Sequence, residues 1–322
     1  MRKALVVGLN NYPGAPLYGC KNDALAVSEL LSSNEDGSPN FGVRTCVDIN
    51  YKSELKKVII ELFDGDSETA LFYYSGHGAQ ENENSYIVTP DYSKHDLGLS
   101  MVEILEIANR SRSKNKIIIL DCCFSGAFGN PSILGGRESL LGEGVTILTA
   151  SKKDEVSVEV CGHGVFTTLL LEALKGGAAD ITGKITPGGV YSYIDKALGP
   201  WDQRPVFKTN ISQFLCLRKV TPKVPIEVIR EIVNYFKTPD EEFSLNPSFE
   251  FTNNPKIIHE TIEPYAIPEK VSIFKDLQKY VSAGLVEPVD EEHMYFAAMR
   301  SKNCKLTALG WHYWKLVKDK RI

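Results

Sequence analysis

No apolar run in this 322-residue chain is long enough to span a membrane. A disulfide framework is also missing. The seven cysteines lie at uneven spacing, two of them adjacent, which excludes a stapled secreted domain and argues for a reducing, cytoplasmic setting. A basic excess is missing: the net charge of -5 gives no reason to expect nucleic acid as the main partner. Internal repeats and low-complexity segments are lacking too. The segment Met1-Arg2-Lys3-Ala4-Leu5-Val6-Val7-Gly8 could be taken for the start of a secretory leader. Its apolar run is too short, however, no small-residue cleavage site follows, and Asn10-Asn11-Tyr12-Pro13-Gly14 reads as a turn. A first strand is expected there instead.

What is present is the composition of a globular protein, 43% hydrophobic and 24% charged, at a length that suits one large domain plus a smaller one. Strands are expected at 3–9, 43–49, 69–75, 116–121, 144–150 and 212–217, with helical patterns at about 20–33, 52–63, 100–111, 164–175 and 189–198. Such alternation implies an α/β fold, a mostly parallel six-stranded sheet with helices on both faces. Three longer connections, 79–98, 126–143 and 176–188, are candidates for functional loops.

Beyond Lys219 the pattern changes. Thr221-Pro222-Lys223-Val224-Pro225 reads as a linker, 226–236 as a helix, and 237–268 shows no clear period. An amphipathic stretch at 271–283, a Gly284-Leu285-Val286 turn, a strand-like Met294–Met299 and a last helix at 306–318 follow. The expected divisions are 1–220, a connector at 221–265, and a small α+β domain at 266–322.

Two glycine-framed motifs carry the chemistry. Leu71-Phe72-Tyr73-Tyr74-Ser75-Gly76-His77-Gly78 ends one apolar run, and Ile117-Ile118-Ile119-Leu120-Asp121-Cys122-Cys123-Phe124-Ser125-Gly126 ends another. Runs of this kind read as buried parallel strands, and ligands bind beyond their carboxyl ends. One motif thus delivers a histidine, the other a cysteine, to a common edge. A thiol attacks a peptide carbonyl as thiolate, so it needs a base at hydrogen-bond reach; histidine can take that proton and later give it to the leaving amine. Backbone N–H groups of Gly78 and Cys123 are the natural oxyanion donors. A lone cysteine on a core strand is usually packing, and a lone histidine in a glycine turn is usually a loop residue. Both types together, both at strand ends and both glycine-framed, point past packing. Zinc does not fit, because Cys122, Cys123 and His77 lack a spaced cysteine pair.

Through residues 1–218 the sequence resembles the caspase-like cysteine peptidases, the metacaspase branch more than the animal caspases. The resemblance rests on Ala4–Asn10 with Leu17–Ala24, on Tyr73–Gly78, and on Asp121–Gly126. It extends to Thr149-Ala150-Ser151 with Asp154-Glu155, Gly164-Val165-Phe166-Thr167, and Gln203-Arg204-Pro205-Val206-Phe207. It implies a dyad of Cys123 as nucleophile and His77, with Cys122 turned to the core. Alternation along a strand agrees, since neighbouring residues point opposite ways. The resemblance also implies an acidic pocket from Asp23 and Asp121, hence cleavage after Arg or Lys, with Ser151 against the substrate backbone at the pocket edge. For Asp23 a helix N-terminal acid meeting the dipole is the alternative.

The chain departs from the family pattern in places. Phe124 stands where the family often has His, which leaves the dyad intact. Calcium-dependent relatives carry aspartates around the active-site loops, and 127–131 offers none, so no cofactor is expected, calcium being the unsupported alternative. Arg137 lies where such precursors are cut and is a candidate self-cleavage site, the alternative being an uncut surface loop.

The last segment resembles a winged-helix domain. Its end is basic, yet 222–322 carries 14 basic and 15 acidic residues, so a regulatory protein partner is favoured over DNA. The expected function is a cysteine endopeptidase that processes or activates a specific protein effector. The alternatives are a catalytically silent scaffold acting through the C-terminal module, and a winged-helix DNA-binding regulator.

Overall fold

The computed structural model describes residues 1–47, 49–81, 84–122, 141–150, 159–160, 162–198, 204–258 and 260–322. They form two compact units, Met1–Thr221 and Pro222–Ile322.

In the first unit the chain runs β1 (Arg2–Gly8), α1 (Cys20–Ser32), β2 (Gly42–Cys46), α2 (Lys52–Phe63) and β3 (Thr69–Ser75). A small antiparallel sheet follows, made of β4 (Gly78–Glu81), β5 (Asn84–Ile87) and β6 (Leu99–Ser100). Next come α3 (Met101–Arg110), β7 (Asn115–Asp121) and β8 (Val145–Thr149), then the β9 (Glu159–Val160) and β10 (His163–Gly164) hairpin. The unit closes with α4 (Val165–Glu172), β11 (Lys184–Ile185), α5 (Pro187–Ala197), β12 (Val206–Asn210) and β13 (Arg218–Lys219).

The main sheet has six strands in the order β12-β8-β7-β3-β1-β2, parallel except for β12 at the edge. Its centre is buried on both faces. That is why β3 and β7 are nearly continuous apolar runs and not alternating ones. Alternation still sorts the side chains. Leu5, Val7, Phe72, Tyr74, Ile118, Leu120 and Cys122 face a layer with α2 and α3. Ala4, Val6, Leu71, Tyr73, Ile117 and Ile119 face α1, α4 and α5. Each fully buried Ile or Leu contributes about 1.5–3 kcal/mol, so these layers dominate the unit's stability.

The edge strand corrects one expectation. The sixth strand is Val206–Asn210, antiparallel to β8, and not 212–217. Leu215 and Leu217 are buried in the core without joining that sheet, and their hydrophobicity made the segment look like a strand.

The second unit contains α6 (Ile226–Tyr235), β14 (Glu242–Ser244), α7 (Pro268–Ser282), β15 (Val286–Pro288), α8 (Met294–Met299), β16 (Asn303–Leu306) and α9 (Ala308–Lys318). Its sheet order is β14-β16-β15, antiparallel throughout. Met294–Met299, expected as a strand, is helical. Met294, Ala297 and Ala298 are its buried positions, a helical spacing hidden in an all-apolar run. The stretch expected as a connector contributes to this unit's core through Ile229, Ile232, Phe236 and Phe249. Its aperiodic part is organised by the buried Asn253. That side chain donates to the carbonyls of Pro247, Ile262 and Pro264, and accepts from the Ile262 N–H at 2.9 Å. Among the described residues no helix is long and apolar enough to cross a membrane.

Candidate active site

Parallel pairing brings the two motifs side by side. Ser75, the last residue of β3, is the register partner of Asp121, the last of β7, and the Gly76 N–H donates to the Asp121 carbonyl at 3.3 Å. On the other side of β3, Gly8 of β1 pairs with Ser75, and the Leu9 N–H donates to the Ser75 carbonyl. Three adjacent strands therefore open onto one edge.

His77 is held there on all sides. Its Nε2 lies 2.8 Å from the Ala15 carbonyl oxygen, which only accepts, so Nε2 is the donor there and Nδ1 is the nitrogen left outside that contact. The Tyr12 ring meets the imidazole edge to face, centroids 4.5 Å apart. The backbone is tied by a relay. The His77 N–H donates to the Tyr12 hydroxyl (3.1 Å), the Tyr12 and Tyr74 hydroxyls share a hydrogen bond (3.0 Å), and the Val88 carbonyl accepts from this phenol pair, 2.8 Å from the Tyr74 oxygen. The Val88 N–H returns to the His77 carbonyl at 2.9 Å, closing the circuit. Burial pushes both phenols well above their ordinary range, so they remain protonated donors. Gly76 is required by this relay: a Cβ there would lie 2.5 Å from both phenol oxygens. Gly78 follows directly and opens β4 opposite Ile87.

Cys122 is 2% exposed and lies in the α2/α3 core layer. Cys123, Ser151 and Arg137 lie outside the described residues.

Asp23 and Asp121 come together on the opposite face of the sheet from Cys122. Asp23, in the first turn of α1, is only 1% exposed. Its Oδ2 accepts from Ser75 Oγ at 2.9 Å and from the Gly164 N–H at 3.4 Å, and its Oδ1 accepts from His163 Nδ1 at 2.7 Å. Beside its place in the first turn of α1, it is thus tied inward through Oδ2 and to His163 through Oδ1. Asp121 Oδ2 accepts from the Thr167 hydroxyl (2.6 Å) and N–H (3.2 Å), and Thr167 in turn accepts from the Tyr73 hydroxyl. Gly164 separates the two acids. A Cβ on it would lie 2.6 Å from Asp121 Oδ2 and 3.5 Å from Asp23 Oδ2, so only a hydrogen fits.

Burial raises both carboxyls. Asp121 is pushed up to about 6, with the charge of Asp23 adding to desolvation and the Thr167 bonds offsetting part of it. Asp23 is raised by burial against the pull of His163, Ser75 and Gly164. Two desolvated carboxyls at one spot cost free energy that a cationic guest relieves. Among the described residues no cluster of His, Cys, Asp or Glu is arranged to hold a metal ion.

The caspase domain family matches this chain over residues 1–186, more than half its length. The chain belongs to the caspase domain family. Its first unit thus has the fold of a family of cysteine peptidases, hydrolases of peptide bonds. Protein GSU0716 from Geobacter sulfurreducens, a solved structure, resembles this chain at 17% identity and a TM-score of 0.49, covering 68% of this chain and 97% of that one. No curated protein matches the chain.

Sequence reasoning missed three contributors to the site. Ala15 acts through its backbone carbonyl, which no side-chain pattern reveals. Tyr12 lies in a segment read only as a turn. His163 did carry a signal, since Gly162-His163-Gly164 repeats the glycine framing of Gly76-His77-Gly78.

Proposed function

We propose that this caspase-family chain is a cysteine endopeptidase that cleaves after Arg or Lys, with Cys123 as nucleophile and His77 as base. The observation that carries the reading is the β3–β7 register. His77 and Cys123 each follow the Ser75–Asp121 pair by two residues in sequence, and Asp121 neighbours Asp23 across Gly164.

In this mechanism the Cys123 thiol gives its proton to His77 Nδ1, the nitrogen that the Ala15 contact leaves free. The Ala15 carbonyl then stabilises the N–H on the far side of the imidazolium. The thiolate attacks the scissile carbonyl carbon, and the oxyanion is received by the Gly78 and Cys123 N–H groups. Collapse expels the amine, which takes the proton from His77 Nδ1 and leaves a thioester. His77 next removes a proton from water, whose oxygen attacks the thioester carbonyl. The acid departs and the thiol is restored. Asp23 and Asp121 bind the basic side chain before the scissile bond. Ser151 borders the substrate backbone, and Arg137 is a site for the enzyme to cut itself. The C-terminal unit, nearly charge-neutral, serves a regulatory protein partner.

The test is hydrolysis of reporter peptides ending in Arg, Lys, Asp or Gln. Turnover of Arg and Lys reporters alone, lost in Cys123→Ala, is expected. Equal turnover of the Asp reporter, or an active Cys123→Ala protein, refutes the reading.

A further inference from the structure

We propose that His163 is a resident occupant of the acidic pocket: its imidazole holds the Asp23 oxygen that an incoming guanidinium must take, so a basic side chain enters by displacing it. The proposal rests on the reading of Asp23 and Asp121 as the pocket for Arg or Lys.

Asp23 has two oxygens, and the structure divides them. Oδ2 is committed inward, to Ser75 Oγ and the Gly164 N–H. Oδ1 is held by His163 Nδ1 at 2.7 Å. The side chain of His163 is 30% exposed against 2% for that of Asp23, so the imidazole is the solvent-side member of the pair. It rides on the β9–β10 hairpin, and that hairpin is fastened to α1 at the neighbouring residue, where Asn22 Nδ2 donates to the Gly162 carbonyl at 3.2 Å. Two successive residues of α1, Asn22 and Asp23, thus hold two successive residues of the hairpin, Gly162 and His163. Asp121, the second acid, takes its bonds from Thr167 and none from His163. The imidazole therefore covers one carboxylate and leaves the other to attract a cation.

Replacement of the imidazole by a guanidinium is favourable, because a single ring N–H on the carboxylate gives way to a planar fork of parallel N–H donors carrying a full positive charge. An uncharged side chain of similar size gains nothing by the exchange, so His163 acts against neutral residues as well as filling the resting pocket. Arginine is favoured over lysine. Its planar fork can replace the imidazole on Asp23 and reach Asp121 at once, whereas an ammonium is a compact, strongly hydrated point charge.

The test compares wild type, His163→Ala and His163→Gln with Arg and Lys reporters. Agmatine, a small guanidinium, is titrated calorimetrically as a probe that needs no turnover. His163→Ala should lower KM for the Arg reporter and tighten agmatine about tenfold, the worth of one displaced hydrogen bond to a carboxylate. KM for the Lys reporter should fall further, narrowing the preference for Arg, while His163→Gln, which keeps a donor over Asp23, should lower KM less than His163→Ala. Should the alanine variant not fold, His163→Ser carries the same expectation. Wild-type cleavage of the Arg reporter together with an unchanged or raised KM in His163→Ala overturns the proposal, leaving His163 as a group that only orients Asp23. If neither protein cleaves basic reporters or binds agmatine, the pocket reading fails and the proposal falls with it.

Discussion

Tyr12 holds His77 at two points: its hydroxyl accepts the His77 backbone N–H at 3.1 Å, and its ring meets the imidazole edge to face. Tyr12→Phe keeps the ring and removes the oxygen, leaving a buried N–H without that partner at a cost of about 1–3 kcal/mol. We expect kcat on an Arg reporter to fall about tenfold, with KM little changed. Tyr12→Ala, which loses the ring as well, should fall further. Stopped assays and thermal melts on both variants check this, and wild-type kcat in Tyr12→Phe would count against the relay.

Asp121 is costly to the resting fold. Its folded pKa of about 6 lies above the ordinary 3.8, so the folded state holds this proton more tightly than the unfolded one. The group therefore weakens the fold above about pH 6, and the penalty is relieved as pH falls from about 6 toward 3.8. Asp121→Asn should raise the melting midpoint at pH 7 by about 2–4 °C while cutting basic-reporter turnover at least tenfold. A less stable variant would contradict this account.

The same titration shapes substrate binding. Below about pH 6 Asp121 gains its proton and stops attracting a cation. KM for an Arg reporter should rise as pH drops from 7 to 5, and that rise should be absent from Asp121→Asn where its residual turnover can be followed. A wild-type KM flat across that interval would remove Asp121 from the pocket.

The adjacent cysteines should separate cleanly. Cys122 is buried in the sheet's α2/α3 layer, so Cys122→Ala should cost about 1 kcal/mol of stability and retain hydrolysis. Cys123→Ala should melt near wild type and have no measurable turnover. Reversal of the two phenotypes would exchange their roles.

The sheet was readable because β3 and β7 carry unbroken apolar runs between glycine turns, a pattern that central parallel strands produce by being buried on both faces. The acid pair was readable only through a family resemblance, since Asp23 and Asp121 lie far apart in sequence and meet where the first turn of α1 lies against the ends of β1 and β3. Ala15 was not readable at all: any residue type could offer that carbonyl. Nor was β12, an edge strand of mixed polarity, Val206-Phe207-Lys208-Thr209-Asn210, whose pattern yields to the more hydrophobic 212–217. In the second unit, Met294–Met299 shows the limit of periodicity: when every residue in a short run is apolar, strand and helix look alike.

The ladder between β7 and β8 has a consequence for any cut at Arg137. These strands are sheet neighbours, joined from Lys116–Val145 to Leu120–Thr149, and the whole stretch that contains Arg137 connects them. A break in that connection would yield two polypeptides that still share a hydrophobic interior. The nicked protein should elute as an intact particle on a sizing column and come apart only in denaturant.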